Sequence, residues 1–125
     1  METKKETLLI VESDPIQLDL IRLALTRLDI EVISTADAAE AKKLAKSDHP
    51  AVIIVDTFLP HASGFDLVEE MRSEKLLMHT QVAMISAMGF EEIVNRAARM
   101  GIREFFVKPV DTDYLVKRVA ALINN

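Results

Sequence analysis

At 125 residues, half of them apolar, the chain is long enough to enclose one hydrophobic core, too short for two domains and too apolar to stay disordered. A net charge of -5 with a pI near 5.2 argues against a nucleic-acid surface of its own, because phosphate binding needs clustered Lys and Arg to displace counterions. Without cysteine there is no disulfide framework and no thiolate chemistry; a polar lead from Met1 to Thr7 and no apolar run near the roughly 20 residues that cross a bilayer lead to the expectation of a cytoplasmic protein of one domain, residues 1–125.

The first apolar run, Leu8-Leu9-Ile10-Val11, reads as a strand buried on both faces that ends in Glu12-Ser13-Asp14-Pro15. Asp14 suits an N-cap and Pro15 the first helical position, where its missing N–H is no loss. The helix that follows runs to about Leu28, with Ile16, Leu20, Leu23, Ala24 and Leu28 at buried spacing and Gln17, Arg22 and Arg27 facing water. Glu31–Thr35 is a short strand, and Asp37 opens an alanine-rich helix to about Ser47 that buries Ala38, Ala41, Leu44 and Ala45.

Ala51-Val52-Ile53-Ile54-Val55-Asp56 is the most apolar strand and stops on a carboxylate. Thr57–Gly64 reads as a loop, with Pro60 removing a donor and Gly64 permitting unusual dihedrals. Ser63 then caps a helix that carries Phe65, Val68 and Met71 inward, with Asp66 placed as in a capping box. Gln81–Ile85 is a strand ending on Ser86-Ala87; the next helix, from about Phe90, buries Phe90, Ile93, Val94 and Ala97 and stops at Met100-Gly101, where glycine suits a left-handed cap. Arg103–Val107 is the last strand, followed by Lys108-Pro109 and a helix capped by Asp111 or Thr112 that bears Tyr114, Leu115, Val119 and Leu122. Five strands alternating with five helices predict an α/β fold with a parallel sheet and right-handed crossovers.

In such a sheet ligands bind at the carboxyl ends of the strands, near the reversal of strand order. Those ends carry Glu12, Ser13 and Asp14, then Asp56, Ser86 and Lys108. Carboxylates that hold a hard divalent cation, beside a lysine and a hydroxyl that meet phosphoryl oxygens, are the chemistry of a metal-assisted phosphoryl site, and an aspartate can itself accept the phosphoryl group.

Glu12-Ser13-Asp14-Pro15, Asp56 with Leu59-Pro60 and Gly64, Ser86-Ala87 and Lys108-Pro109, in that order and spacing, give a chain that resembles the receiver domain of two-component response regulators, the CheY-like superfamily, from its first strand to its last helix. The resemblance implies a flavodoxin-like (βα)5 fold of three layers with strand order 2-1-3-4-5, and a phosphorylation-controlled switch rather than an enzyme. It also implies that Asp56 accepts a phosphoryl group from a histidine kinase or phosphotransfer protein with Mg²⁺ as cofactor. Ser86 and Lys108 then meet the phosphoryl group, Phe105 is the aromatic partner of the Ser86 switch, and Glu12, Asp56 and the Phe58 backbone carbonyl are metal ligands. Ser13 departs from the pattern: the family carries a second acid there, and a neutral hydroxyl is a weaker ligand for Mg²⁺. The output surface implied is the fourth helix, fifth strand and fifth helix, where a mixed set of charges suits pairing with a downstream output domain or a second copy of the chain.

Other readings lie beside these. A phosphate-independent receiver-like interaction module fits Ser13, whereas the retained Asp56, Ser86 and Lys108 fit the switch. A flavin or nucleotide enzyme of the same fold needs a first loop rich in Gly, Ser or Thr, and Glu-Ser-Asp-Pro would repel phosphate. His49, His61 and His79 read as solvated loop residues at no metal-ligand spacing. Arg96, Arg99, Lys117 and Arg118 read as solvated helix faces.

Overall fold

The computed structural model describes residues 5–124; Met1 to Lys4, most of the polar lead, and Asn125 lie outside the described residues. The main sheet is built from β1 (Glu6–Val11), β2 (Ile30–Thr35), β3 (Val52–Asp56), β4 (Gln81–Ser86) and β5 (Glu104–Val107), all parallel, in the order β2-β1-β3-β4-β5. The helices between and after them are α1 (Pro15–Leu25), α2 (Ala38–Asp48), α3 (Gly64–Ser73), α4 (Glu91–Arg99) and α5 (Thr112–Ile123). Among the described residues no helix is long and apolar enough to cross a membrane.

The continuous apolar runs of β1 and β3 are explained by a core on each side of the sheet. Side chains alternate along a strand, so Leu8, Ile10, Val52 and Ile54 pack with Ile21, Ala24 and Leu25 of α1 and with Leu115, Val119 and Leu122 of α5. Their neighbours Leu9, Val11, Ile53 and Val55 point the other way, onto Ala41 and Ala45 of α2, Val68 and Met71 of α3 and Ala97 of α4. The three layers follow directly from this period of two.

Helix ends follow local chemistry. The Asp14, Asp37 and Asp111 carboxylates accept the N–H groups of Ile16, Ala39 and Tyr114, and Gly101 lies at φ +76 after α4. Ser63 Oγ accepts the Asp66 N–H at 3.5 Å, but the reciprocal half of the capping box is not formed; Asp66 instead lies 3.6 Å from Arg96, whose guanidinium also sits 4.4 Å over the Phe65 ring.

Several expectations are corrected. Ile16 and Leu23 of α1 are 75% and 70% exposed, because α1 is apolar nearly all round and its packed face is centred on Ile21, Ala24 and Leu25; the helix ends at Leu25, before Leu28. Arg22 is only partly exposed: it donates to the Val32 carbonyl and the Ser34 hydroxyl of β2. Phe90 is exposed because it is the N-cap residue of α4, in extended conformation and off the helical repeat. Tyr114 is half exposed, its ring edge-on to Phe106 with centroids 6.0 Å apart. Arg118 is bound to the buried Glu104 rather than free in water. The stretch after Asp56 is also more ordered than a loop: Phe58–Leu59 pairs antiparallel with Ala62–Ser63, and His61 closes this hairpin at φ 63, a left-handed conformation in which His is enriched.

Candidate functional site

Strand register brings the predicted residues to one edge. Val11 pairs with Val55, Asp56 with Ile85 and Ser86 with Val107, so Glu12, Asp56, Ser86 and Lys108 each stand at the carboxyl end of a neighbouring strand. This edge includes the boundary between β1 and β3, where the order of strands reverses.

The three charged residues among these four form a buried ion cluster. The Lys108 ammonium lies 2.6 Å from Asp56 Oδ2 and 2.7 Å from Glu12 Oε1, and the two carboxylate residues are only 4% and 2% exposed. Each carboxylate is oriented by the backbone through its other oxygen. Glu12 Oε2 accepts the N–H groups of Ser13 at 2.9 Å and Asp14 at 3.1 Å, and Asp56 Oδ1 accepts the N–H of Phe58 at 3.0 Å. Glu12 Oε1 has the ionic contact but no aligned hydrogen bond, so a buried acceptor remains for a further donor or a cation.

The electrostatics follow from burial and proximity. Burial first, and the neighbouring Asp56 carboxylate next, push the Glu12 carboxyl above the ordinary glutamate range, against the pull of Lys108 and of the Asp14 N–H. Burial also works against the Lys108 charge, but Asp56 and then Glu12 outweigh it and hold the ammonium protonated beyond the ordinary lysine range. Two carboxylates around one ammonium leave a net negative charge, so the cluster still favours a cation.

Ser13 has an exposed side chain and reaches the cluster only through its backbone N–H, while the Asp14 carboxylate is committed to capping α1 at 3.0 Å. The acidic donors of the first loop therefore reduce to Glu12. Among the described residues no group of three or more acidic or histidine side chains is placed to hold a metal. Glu12 and Asp56 both converge on the Lys108 ammonium, and Glu12 Oε1 is left without a hydrogen bond; Mg²⁺ is ordinarily held by one or two carboxylates with water and phosphate oxygens completing its shell, so these two carboxylates are a donor set of the kind that ion takes. His49 and His79 are exposed and precede β3 and β4, away from this edge, while His61 is exposed in the hairpin that follows Asp56.

Ser86 is fully buried at the end of β4, where its Oγ accepts the Met88 N–H at 3.0 Å and lies 2.7 Å from the hydroxyl of Thr57, itself 1% exposed. Thr57 is the residue that sequence reasoning missed; the signal was a β-branched hydroxyl directly after the strand-end aspartate, in a position still governed by strand alternation. Phe105 is half-buried on β5, opposite Met84 and packed on the α2–α3–α4 side of the sheet. Gly64 is required for close approach rather than for its dihedral: a Cβ there would lie 1.9 Å from the Asp56 carbonyl oxygen, so the first turn of α3 presses on the backbone that carries Asp56. Lys108 precedes Pro109 across a cis peptide bond.

Replacing Lys108 by Met leaves two buried carboxylates without their cation, and removing one partner of a buried pair costs about 3 kcal/mol or more at neutral pH. The pH dependence has a definite sign. The folded Glu12 value lies above the unfolded value of 4.5, so its contribution is whole below 4.5 and is lost as pH rises through the folded value; without Lys108 that window moves further up. Urea unfolding of parent and Lys108→Met at about pH 5 and about pH 7.5 is expected to show the smaller deficit at the lower pH. Equal deficits at both would mean that the ammonium does not compensate these carboxylates.

Comparison with known proteins identifies the family and the fold. The family model described as response regulator receiver domain matches residues 8–120. A protein named as a probable transcriptional regulator, ycf27, of Cyanophora paradoxa is 25% identical over 125 residues, covering 98% of this chain and 50% of that protein. The chain spans about half the length of the curated relatives it matches. The crystal structure of a response regulator from Thermotoga maritima superposes with a TM-score of 0.85 at 24% identity, covering 98% of this chain and 100% of that one. The receiver domain of a DNA-binding response regulator from Colwellia psychrerythraea 34H gives 0.87 at 20% identity, with coverages of 96% and 99%. At these identities the two structures establish the CheY-like, flavodoxin-like fold alone. The family match, over most of the chain, establishes membership: the chain belongs to the response regulator receiver domain family of two-component signalling.

Proposed function

We propose that the chain acts as one receiver unit that is phosphorylated on Asp56 by a histidine kinase or phosphotransfer protein, with Mg²⁺ bound. In the step proposed, an Asp56 carboxylate oxygen attacks the phosphorus of a phosphohistidine; a P–O bond forms, the P–N bond breaks, and the imidazole leaves with a proton from water. Lys108 and Ser86 meet the phosphoryl oxygens, and Phe105 reports the movement of Ser86. The observation that supports this most is the Lys108 ammonium held 2.6 Å from Asp56 and 2.7 Å from Glu12, which gives Asp56 both a cation for incoming phosphate and a neighbouring carboxylate for a metal. Mg²⁺ when bound neutralises charge on the phosphoryl group; Glu12, Asp56 and the Phe58 carbonyl are the groups proposed to hold it, with Ser13 at the edge of the site.

Incubation with a small-molecule phosphodonor and Mg²⁺ is expected to add one phosphoryl group to the parent, read by intact mass, and none to Asp56→Asn. Labelling that persists in the Asn variant would remove Asp56 as acceptor, and no labelling of the parent at any Mg²⁺ concentration would favour the phosphate-independent module.

The metal site is proposed to be weak because Ser13 is neutral. A unit charge pair at ~4 Å is worth about 4 kcal/mol at an effective dielectric near 20, twice that for a divalent ion, and most of it is offset by dehydration. A surplus of only ~1.4 kcal/mol is tenfold in affinity. Calorimetric titration is therefore expected to give Mg²⁺ binding about tenfold tighter in Ser13→Asp than in the parent. Equal affinities would mean that Glu12 already fills that position.

The surface of α4, β5 and α5 is proposed as the output face for a downstream domain or a second copy. Exposed Phe90, Val107 and Tyr114 belong to these elements or adjoin them and give them apolar contact area beside the charges. Sedimentation with and without a phosphoryl mimic is expected to show dimers favoured by the mimic; a monomer at high concentration in both states rejects the self-pairing.

A further inference from the structure

We propose that Thr57 is a positioning residue of this receiver: its hydroxyl latches Ser86 in a resting place, and breaking that hydrogen bond is part of what a phosphoryl group on Asp56 must accomplish. The inference rests on the reading of Asp56 as acceptor and Ser86 as the hydroxyl that meets the phosphoryl group.

The two hydroxyl oxygens are 2.7 Å apart and both residues are buried, 1% exposed for Thr57 and 0% for Ser86, so water does not compete for the bond. Ser86 Oγ also accepts the Met88 N–H at 3.0 Å. A serine hydroxyl has two acceptor positions and one proton, so the Thr57 O–H and the Met88 N–H together occupy its acceptor capacity. Among the described residues Ser86 Oγ makes no hydrogen bond to Asp56 or to Lys108.

Thr57 itself has little freedom. Its N–H donates to the Ile85 carbonyl at 3.0 Å and its carbonyl accepts the Gly64 N–H at 2.9 Å, which ties its backbone to the end of β4 and to the start of α3. Its branched Cβ restricts the side-chain rotamer as well. Ser86 is therefore the partner that has to move. A serine that turns toward a phosphoryl group on Asp56 leaves Thr57 with an unpaired buried hydroxyl, so the latch biases the equilibrium toward the resting arrangement. Removing the Thr57 hydroxyl should relieve that bias by a factor of about three to ten, the range that one buried neutral hydrogen bond supports.

The test measures the affinity of beryllium fluoride, an inorganic mimic of a carboxylate-bound phosphoryl group, at saturating Mg²⁺. Thr57→Val, which keeps the shape and drops the hydroxyl, is expected to bind the mimic about three- to tenfold more tightly than the parent. Thr57→Ser, which restores the hydroxyl, should return to the parent value, and Thr57→Ala serves in place of valine if that variant does not fold. In a Ser86→Ala background the valine substitution should have no further effect, a coupling that a merely structural role for Thr57 would not produce. Unchanged or weaker binding in Thr57→Val or Thr57→Ala, or an undiminished effect in the Ser86→Ala background, overturns the latch while leaving Asp56-dependent binding in the parent intact. Absence in the parent of any binding that Asp56→Asn abolishes removes the reading of Asp56, and the latch with it.

Discussion

The site depends on one ammonium held between two carboxylates that are almost out of water. Burying Glu12 and Asp56 as anions without a counter-charge would carry a large desolvation cost. Lys108 supplies that charge from a strand that is not adjacent to β1, so the cluster ties the ends of β1, β3 and β5 together across the sheet edge. The carboxylates in turn are aimed by backbone N–H groups of their own loops, which leaves little rotational freedom at the atoms that matter. A carboxylate oriented in this way needs little reorganisation when a partner arrives.

The segment from Asp56 to Gly64 is held by a second set of constraints. The Thr57 backbone bonds on both sides, the hairpin of Phe58–Leu59 with Ala62–Ser63 folds the chain back, and Gly64 brings α3 against the Asp56 carbonyl with no room for a side chain. The aspartate therefore sits at a strand end that is anchored from two directions. Across from it lies Ser86, whose small buried side chain is held by hydrogen bonds from Thr57 and Met88. In the latch proposed above, the division between a fixed and a movable hydroxyl comes from the side-chain types: a branched Thr on one side of the bond and an unbranched Ser on the other.

The sheet and its edge were readable from sequence because strands buried on both faces leave unbroken apolar runs, and the polar residue that ends each run marks where the strand leaves the core. Glu12, Asp56, Ser86 and Lys108 were visible for that reason, and the registers bring them together. Helix faces were harder. In α1, apolar residues at 16, 18, 20, 21, 23, 24 and 25 surround the axis, so periodicity could not choose a stripe, and the neighbouring α5 and sheet selected Ile21, Ala24 and Leu25 over Ile16 and Leu23. Phe90 was assigned to the core on a helical repeat that begins only after it. The Thr57–Ser86 bond joins residues 29 apart in the chain, and no local pattern encodes which hydroxyl another will meet.

Charge balance explains why Ser13 would matter more to a resting site than to a phosphorylated one. At rest the Lys108 ammonium offsets one of the two buried carboxylates, and the remaining negative charge is shared between groups fixed by hydrogen bonds. A phosphoryl group on Asp56 would replace a single carboxylate charge by about two on the phosphoryl oxygens. Lys108 cannot compensate that increase alone while it also serves Glu12. A divalent cation would restore neutrality, so the demand for the metal rises at the moment the phosphoryl group is in place, and the phosphoryl oxygens themselves then become its ligands. On the proposed reading, a neutral Ser13 would weaken the ion's hold on the resting site while leaving the completed site with enough anionic oxygen to retain it. In this chain metal binding and phosphorylation are for that reason expected to be more strongly coupled than in a receiver with two acids in the first loop.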